Sequence, residues 1–145
     1  MDTSSPARLY AGLVGVATLI AGLVGFFYEA SFDVGDELVA DEQFGILAVN
    51  GWANVVHIAT GLLGLAAMSS IARSRLYALG FGLVYLVVAV WGFIVIDDGF
   101  GVILEFLPVD TQENVLHLAL GVLGLAAGAA TPKAEPEVRR PAPAA

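Results

Sequence analysis

With 145 residues, 58% of them hydrophobic and 14% charged, and a mean hydropathy of +0.83, the chain is too apolar for an ordinary soluble domain and reads as one small membrane domain. Its formal charge of -8, with only six Lys and Arg, leaves no basic patch for nucleic acid. The lack of cysteine removes disulfides, thiol chemistry, thiolate metal sites and iron-sulfur clusters.

The first apolar run, Leu9 to Phe27, carries no charge. It is longer than a signal-peptide h-region and leads into Phe27 and Tyr28 where a cleavage site needs small residues, so it is expected to be a retained helix. An acidic loop with Glu29, Asp33, Asp36, Glu37, Asp41 and Glu42 follows, and then a second run from about Ala53 to Met68 whose notable polar groups are Asn54, His57 and Thr60. Arg73 and Arg75 separate it from a third run, Leu76 to Ile96. In the next segment Phe100, Ile103, Leu104 and Leu107 are spaced for a short amphipathic helix at the interface, ending at Pro108, with Asp97 and Asp98 near its positive end; a packed loop is the alternative. The fourth run, about Val115 to Ala130, is short for a span unless it begins before Asn114, which implies a thin or tilted fit. Residues 131–145, rich in Pro and Ala with mixed charge, have too little apolar surface to fold and are expected to be a disordered tail. Trp52 and Trp91 are expected near the outer boundary, as interfacial anchors.

All Lys and Arg fall before the first run, between the second and third, or after the fourth: Arg8, then Arg73 and Arg75, then Lys133, Arg139 and Arg140. The two other loops hold acids and no base. The positive-inside rule therefore predicts a multi-pass protein of the cell membrane with both termini cytoplasmic and the acidic loops outside. The acidity of those loops also suits a halophile.

The chain repeats itself. Asn54-Val-Val-His57-Ile-Ala-Thr-Gly61-Leu-Leu-Gly64-Leu-Ala-Ala67 returns 60 residues later as Asn114-Val-Leu-His117-Leu-Ala-Leu-Gly121-Val-Leu-Gly124-Leu-Ala-Ala127. Helices 1 and 3 match more weakly at an offset of 67, through Arg8-Leu9-Tyr10-Ala11 and Arg75-Leu76-Tyr77-Ala78, Gly15 and Gly82, and Gly25-Phe26 and Gly92-Phe93. The predicted fold is all-α: a four-helix transmembrane bundle made of two parallel-repeat hairpins, about 8–70 and 75–130, within a domain spanning 9–130 and preceded by a cytoplasmic N-terminus, 1–8. Small or polar residues recur at alternating spacings of three and four on every helix. Gly15, Gly22 and Gly25 form this seam on the first helix, Gly61 and Gly64 on the second, Gly82, Ala89 and Gly92 on the third, and Gly121 and Gly124 on the fourth. Such residues let helix backbones approach in lipid, where apolar burial supplies no drive.

His57 and His117 are the two histidines, each three residues after an asparagine, Asn54 or Asn114, on the seam that faces protein. Three readings compete for these polar pairs. In the first they are structural, hydrogen-bonded across the bundle. In the second, one imidazole from each repeat ligates haem b in an electron-transfer protein, with Gly22 and Ala89 leaving room for the ring. In the third they line a route for protons or ions, although no titratable relay continues inward past Gly61 and Gly121. Two imidazoles are too few for a bare metal site without a carboxylate such as Glu113. No nucleophile, base and orienting group occur together and no phosphate loop is present, so no catalytic residue and no enzyme activity is expected. The expected partners are the bilayer and a second copy or another membrane protein.

The doubled N-x-x-H-x-x-x-G-x-x-G-L pattern, with Tyr-Ala-Leu-Gly-Phe-Gly-Leu-Val-Tyr-Leu from Tyr77 and the pair Gly92-Phe93, resembles a family of small prokaryotic four-helix integral membrane proteins of unknown function. The acid-rich loops resemble those of a haloarchaeal member. The resemblance covers about residues 8–130, places the family's Asn and His on Asn54, His57, Asn114 and His117, and implies a fold and a location but no activity. The reading it shares with the seams is a structural or accessory helix bundle.

Overall fold

A computed structural model describes residues 5–35, 38, 43–44 and 47–133. The expectations for Asp36, Glu37, Asp41 and Glu42 of the first acidic loop, for residues 1–4, and for the tail beyond 133 with Arg139 and Arg140 lie outside the described residues.

The chain is mostly helical. Four α-helices run over Pro6–Gly25 (α1), Gly51–Ala67 (α2), Ile71–Val95 (α3) and Thr111–Ala130 (α4). Each begins at a side chain that caps a free backbone N–H. Ser5 accepts from Arg8 with Pro6 in the first turn, Asn50 from Ala53, Ser70 from Arg73, and Asp110 from Glu113. Helices α1, α3 and α4 are long and apolar enough to cross a membrane. At 17 residues α2 is shorter, about 26 Å at 1.5 Å per residue against a hydrocarbon core of roughly 30 Å. The shortfall expected of the fourth run thus belongs to the second, because Asp110 starts α4 four residues before Asn114.

Two small antiparallel hairpins precede α2 and α4. Gln43–Phe44 (β1) pairs with Leu47–Ala48 (β2), and Phe100–Ile103 (β3) pairs with Leu107–Asp110 (β4). The second hairpin replaces the amphipathic helix expected over this stretch. Gly99 takes φ +92° and Asp98 +49°, turning the chain out of α3, and Leu104 and Glu105 at +55° and +65° make the reversal between the strands. A helix cannot hold such backbone, and Pro108 supplies no N–H to one. Ile103 and Leu107 therefore stand opposite each other across the strands, while Phe100, three residues before Ile103, points to the other face.

α1 packs along α2, and α3 along α4, with lighter contacts of α1 to α3 and α4. Both pairs are antiparallel and close at glycine. A Cβ on Gly61 would sit 2.6 Å from the Leu19 nitrogen, one on Gly22 2.5 Å from the Asn54 carbonyl oxygen, and one on Gly82 2.7 Å from the Leu125 nitrogen. Gly15 faces Gly61, Gly64 and Leu65, just as Gly82 faces Gly121, Gly124 and Leu125.

The end that carries the arginines is closed. Tyr10 donates to the Leu120 carbonyl at 2.9 Å and Tyr77 to the Thr60 carbonyl at 3.1 Å, each phenol reaching from one helix pair to the other. Gly64 and Gly124 make the space, since a Cβ there would meet the Tyr77 and Tyr10 hydroxyls at 2.8 and 2.7 Å. Around the two phenols Ala7, Ala11, Val14, Ala67 and Ala78 form the buried core, with Phe81, Leu120 and Ala127 against it. Arg8 donates to the Met68 carbonyl and Arg75 to the Thr131 carbonyl, placing cations on the C-terminal ends of α2 and α4, where the helix dipole favours them.

Gly61→Ala should lower the thermal stability of the detergent-solubilised protein, by roughly 1–3 kcal/mol for an overpacked contact. Gly80, which has nothing within 4 Å of its would-be Cβ, should tolerate alanine or gain up to about 1 kcal/mol from helix propensity. Equal responses of the two variants would contradict the packing described.

Candidate functional site

The four polar residues of the repeated motif divide into two kinds. The asparagines are packing groups. Asn54 donates through Nδ2 to the Glu29 carbonyl and Asn114 to the Ala89 carbonyl, both at 2.8 Å, and each carboxamide oxygen lies against the glycine of its helix partner, Gly25 or Gly92. Neither amide oxygen has a hydrogen-bond partner among the described residues; contact with a glycine Cα–H is the weaker substitute available to it. Gly22 and Ala89, where the haem reading needs open space, are closed by backbone: the Asn54 carbonyl and Ile58 fill the first, and the second is fully buried.

The histidines are different. Both rings line two cavities, one of about 100 Å³ and one of about 180 Å³, and Tyr85 and Glu113 line both as well. The Nδ1 atoms of His57 and His117 are buried and have no partner among the described residues. Nε2 of His117 lies 3.8 Å from Oε1 of Glu113 one turn earlier, close enough for electrostatic attraction and too long for a hydrogen bond. The other oxygen of Glu113 accepts from the Ala48 N–H at 3.3 Å. Glu113 is only 3% exposed and His117 8%, and the Tyr85 ring stacks on His117 with centroids 5.3 Å apart and planes tilted by 30°.

The cavities occupy corresponding places. The smaller lies between α2 and α3, lined by Ala53, Val56, His57 and Thr60 of one and Phe81, Val84, Tyr85 and Val88 of the other. The larger lies between α4 and α1, lined by Glu113, Leu116, His117 and Leu120, and by Ala17, Thr18 and Ala21. The α4 residues stand 60 positions after Ala53, Val56, His57 and Thr60, and the α1 residues 67 before Val84, Tyr85 and Val88. Even the covers correspond, Leu107 of β4 over one and Leu47 of β2 over the other. Asn50, which caps α2, ties the two covers together by donating to the Phe106 carbonyl at 2.8 Å. At the mouth of the smaller cavity Val56 and Val84 are about half exposed, as lipid-facing residues would be.

Glu113 is the residue that the sequence pattern conceals. Asp110-x-x-Glu113 has the form of a helix start, in which the glutamate turns back to the cap, and among the acids of a loop it reads as solvent-facing. Its position four residues before His117, on the same stripe, is the signal that places it inside. Tyr85 hides in the seam of the third helix, where its neighbours are small. Among the described residues no three His, Asp or Glu side chains are grouped so as to hold a metal ion.

Residues 8–130 match the model of a family described as a domain of unknown function, DUF4383. The chain belongs to that family. No curated protein and no solved structure matches it. The match covers all four helices and both cavities, so the clustered His57, Tyr85, Glu113 and His117 lie within the family domain.

A carboxylate enclosed by Val, Leu and an aromatic ring lowers stability unless compensated. Glu113→Gln keeps the acceptor for Ala48 and cannot ionise, so at alkaline pH in detergent it should raise the melting temperature, with a gain in stability of about 1 kcal/mol or more. A fall in melting temperature would mean that the charge at Glu113 is needed by the fold.

Proposed function

We propose that this DUF4383 protein crosses the membrane four times as two parallel hairpin repeats and serves as a binding protein, not an enzyme, with a chamber in its outer half for a small ligand. The observation that carries the reading is the buried Glu113–His117 pair with His57 and Tyr85, standing between two cavities that open sideways between the helix pairs. Buried ionisable groups in a membrane domain are costly and mark function by default, and packing explains the asparagines but leaves Nδ1 of both imidazoles without a hydrogen-bond partner among the described residues.

Several features support the topology. Three helices are long and apolar enough to span, and the hairpins before α2 and α4 add depth to the shortest helix. The repeat offsets recur in the helix seams, the cross-bonded tyrosines, the arginine caps and the cavities. With Arg8, Arg73, Arg75 and Lys133 at the cytoplasmic end, the histidines lie toward the outside, below the acidic loops.

Against a conduit stands the tyrosine plug: below the chamber Tyr10 and Tyr77 bridge the helix pairs, and the core around them is alanine and valine. Haem has less support, since each cavity is smaller than the roughly 300 Å³ at which pockets for sizeable ligands begin. A structural or accessory role through association with a second membrane protein is compatible with the chamber.

The cysteine-free chain suits a labelling test. Asp98→Cys should react with an impermeant maleimide added to intact cells, and Lys133→Cys only after lysis; the reverse pattern would overturn the orientation. Liposomes containing the protein should show no proton or cation flux above empty ones. Flux that disappears in the His57→Ala, His117→Ala double variant would replace binding with transport.

A further inference from the structure

The donor and acceptor pattern of the chamber defines what would complete it. Oε1 of Glu113 faces Nε2 of His117. We infer that the neutral imidazole carries its proton on that nitrogen, on the side of the carboxyl oxygen, which leaves Nδ1 of His117 as a bare lone pair, buried and without a partner among the described residues. Nδ1 of His57 is buried and unpartnered in the same way. The chamber thus offers the Glu113 carboxyl group, which ionises when a cation lies against it, the His117 lone pair, and a second imidazole nitrogen that serves as an acceptor in one of its two tautomers. It asks for a donor that carries positive charge.

The rest of the lining agrees. Tyr85 and Phe81 present neighbouring rings 6.2 Å apart in the smaller cavity, and aromatic faces attract cations. Apart from Thr60, whose hydroxyl donates to the Val56 carbonyl, the remaining lining is aliphatic, chiefly Val56, Val84, Val88, Ile103 and Leu107. At about 100 and 180 Å³ the cavities bracket the roughly 150 Å³ that holds one benzene ring. Access is lateral, past Val56 and Val84, so an occupant arrives through the outer leaflet, where the acid-rich loops with no base concentrate cations.

Resting on the binding reading above, we propose that the chamber takes a small lipid-soluble organic ammonium ion of about one ring, its N–H groups donating to Glu113 and the histidine Nδ1 atoms and its apolar body lying against Tyr85 and Phe81. Anions are opposed by Glu113, and a molecule that only accepts hydrogen bonds leaves the lone pair of His117 unmet. The two repeats supply matching cavities, but Glu113 stands where its counterpart is Ala53, and Tyr85 where its counterpart is Thr18. One shared carboxylate implies one cation per chain.

The test is calorimetric titration of the full-length protein in nanodiscs with benzylammonium, benzyl alcohol and benzoate, three probes of one size that differ in charge, each corrected for partition into empty discs. Saturable binding of benzylammonium at one site per chain is expected, with both other probes at least about tenfold weaker and Glu113→Gln weakening benzylammonium by about tenfold or more. Equal or tighter binding of benzyl alcohol or benzoate would overturn the cation assignment while leaving a binding chamber in place. Failure of all three probes would overturn the chamber reading as well. Because the probe comparison is made on the wild-type chain, it decides the matter even if Glu113→Gln does not fold.

Discussion

In hydrocarbon an apolar side chain gains nothing by exchanging lipid for protein, so the α1–α2 and α3–α4 pairs must be held by something other than apolar burial. The close approach of backbones at glycine meets that need, and much of the remaining structure follows from it. Where Gly22, Gly61 and Gly82 admit the neighbouring helix, dispersion contacts accumulate along the whole pair. Where Gly25 and Gly92 admit a carboxamide, an asparagine links the end of each pair away from the arginines to backbone. Where Gly64 and Gly124 admit a phenol, the two pairs are joined across the middle. Helices joined so tightly within pairs and only at chosen points between them leave seams between pairs, and the cavities occur in those seams.

Where the sequence repeats itself, the positions at which the two copies differ are informative. The half that carries the arginines keeps its symmetry: Tyr10 and Tyr77, Ala11 and Ala78, Gly64 and Gly124 play matched roles. The opposite half does not. Ala53 and Glu113, Thr18 and Tyr85, and Thr60 and Leu120 are corresponding positions with different chemistry, all lining the two cavities. The plug is built from what the repeats share and the chamber from what they do not.

Much of the helical frame was legible in the sequence, because charge-free runs and seams with three- and four-residue spacing are strong signals in lipid. The repeated motif is visible in the residues themselves, with His57 and His117 at corresponding positions 60 apart. Spacing alone could not reveal the hairpin over 100–110. Phe100, Ile103, Leu104 and Leu107 satisfy a helical period, and only the left-handed backbone at Asp98, Gly99, Leu104 and Glu105 decides against it. Nor could it tell a packing asparagine from a site histidine on one stripe, since what separates them is the glycine opposite each asparagine. Glu113 was obscured by its resemblance to a capping residue, although its N–H is capped by Asp110 while its carboxylate turns inward to Ala48.

The central claim is that two histidines from different repeats share one chamber and that the lone pair on Nδ1 of His117 waits there for a donor. Nitrogen-15 spectra of the histidine-labelled protein in nanodiscs address it directly, because the chain contains only two histidines. The account predicts that His117 carries its proton on Nε2, with Nδ1 bare, and that a benzylammonium titration moves the Nδ1 signals of both histidines together. A proton found on Nδ1 of His117 in the free protein, or a response confined to one histidine, would contradict it.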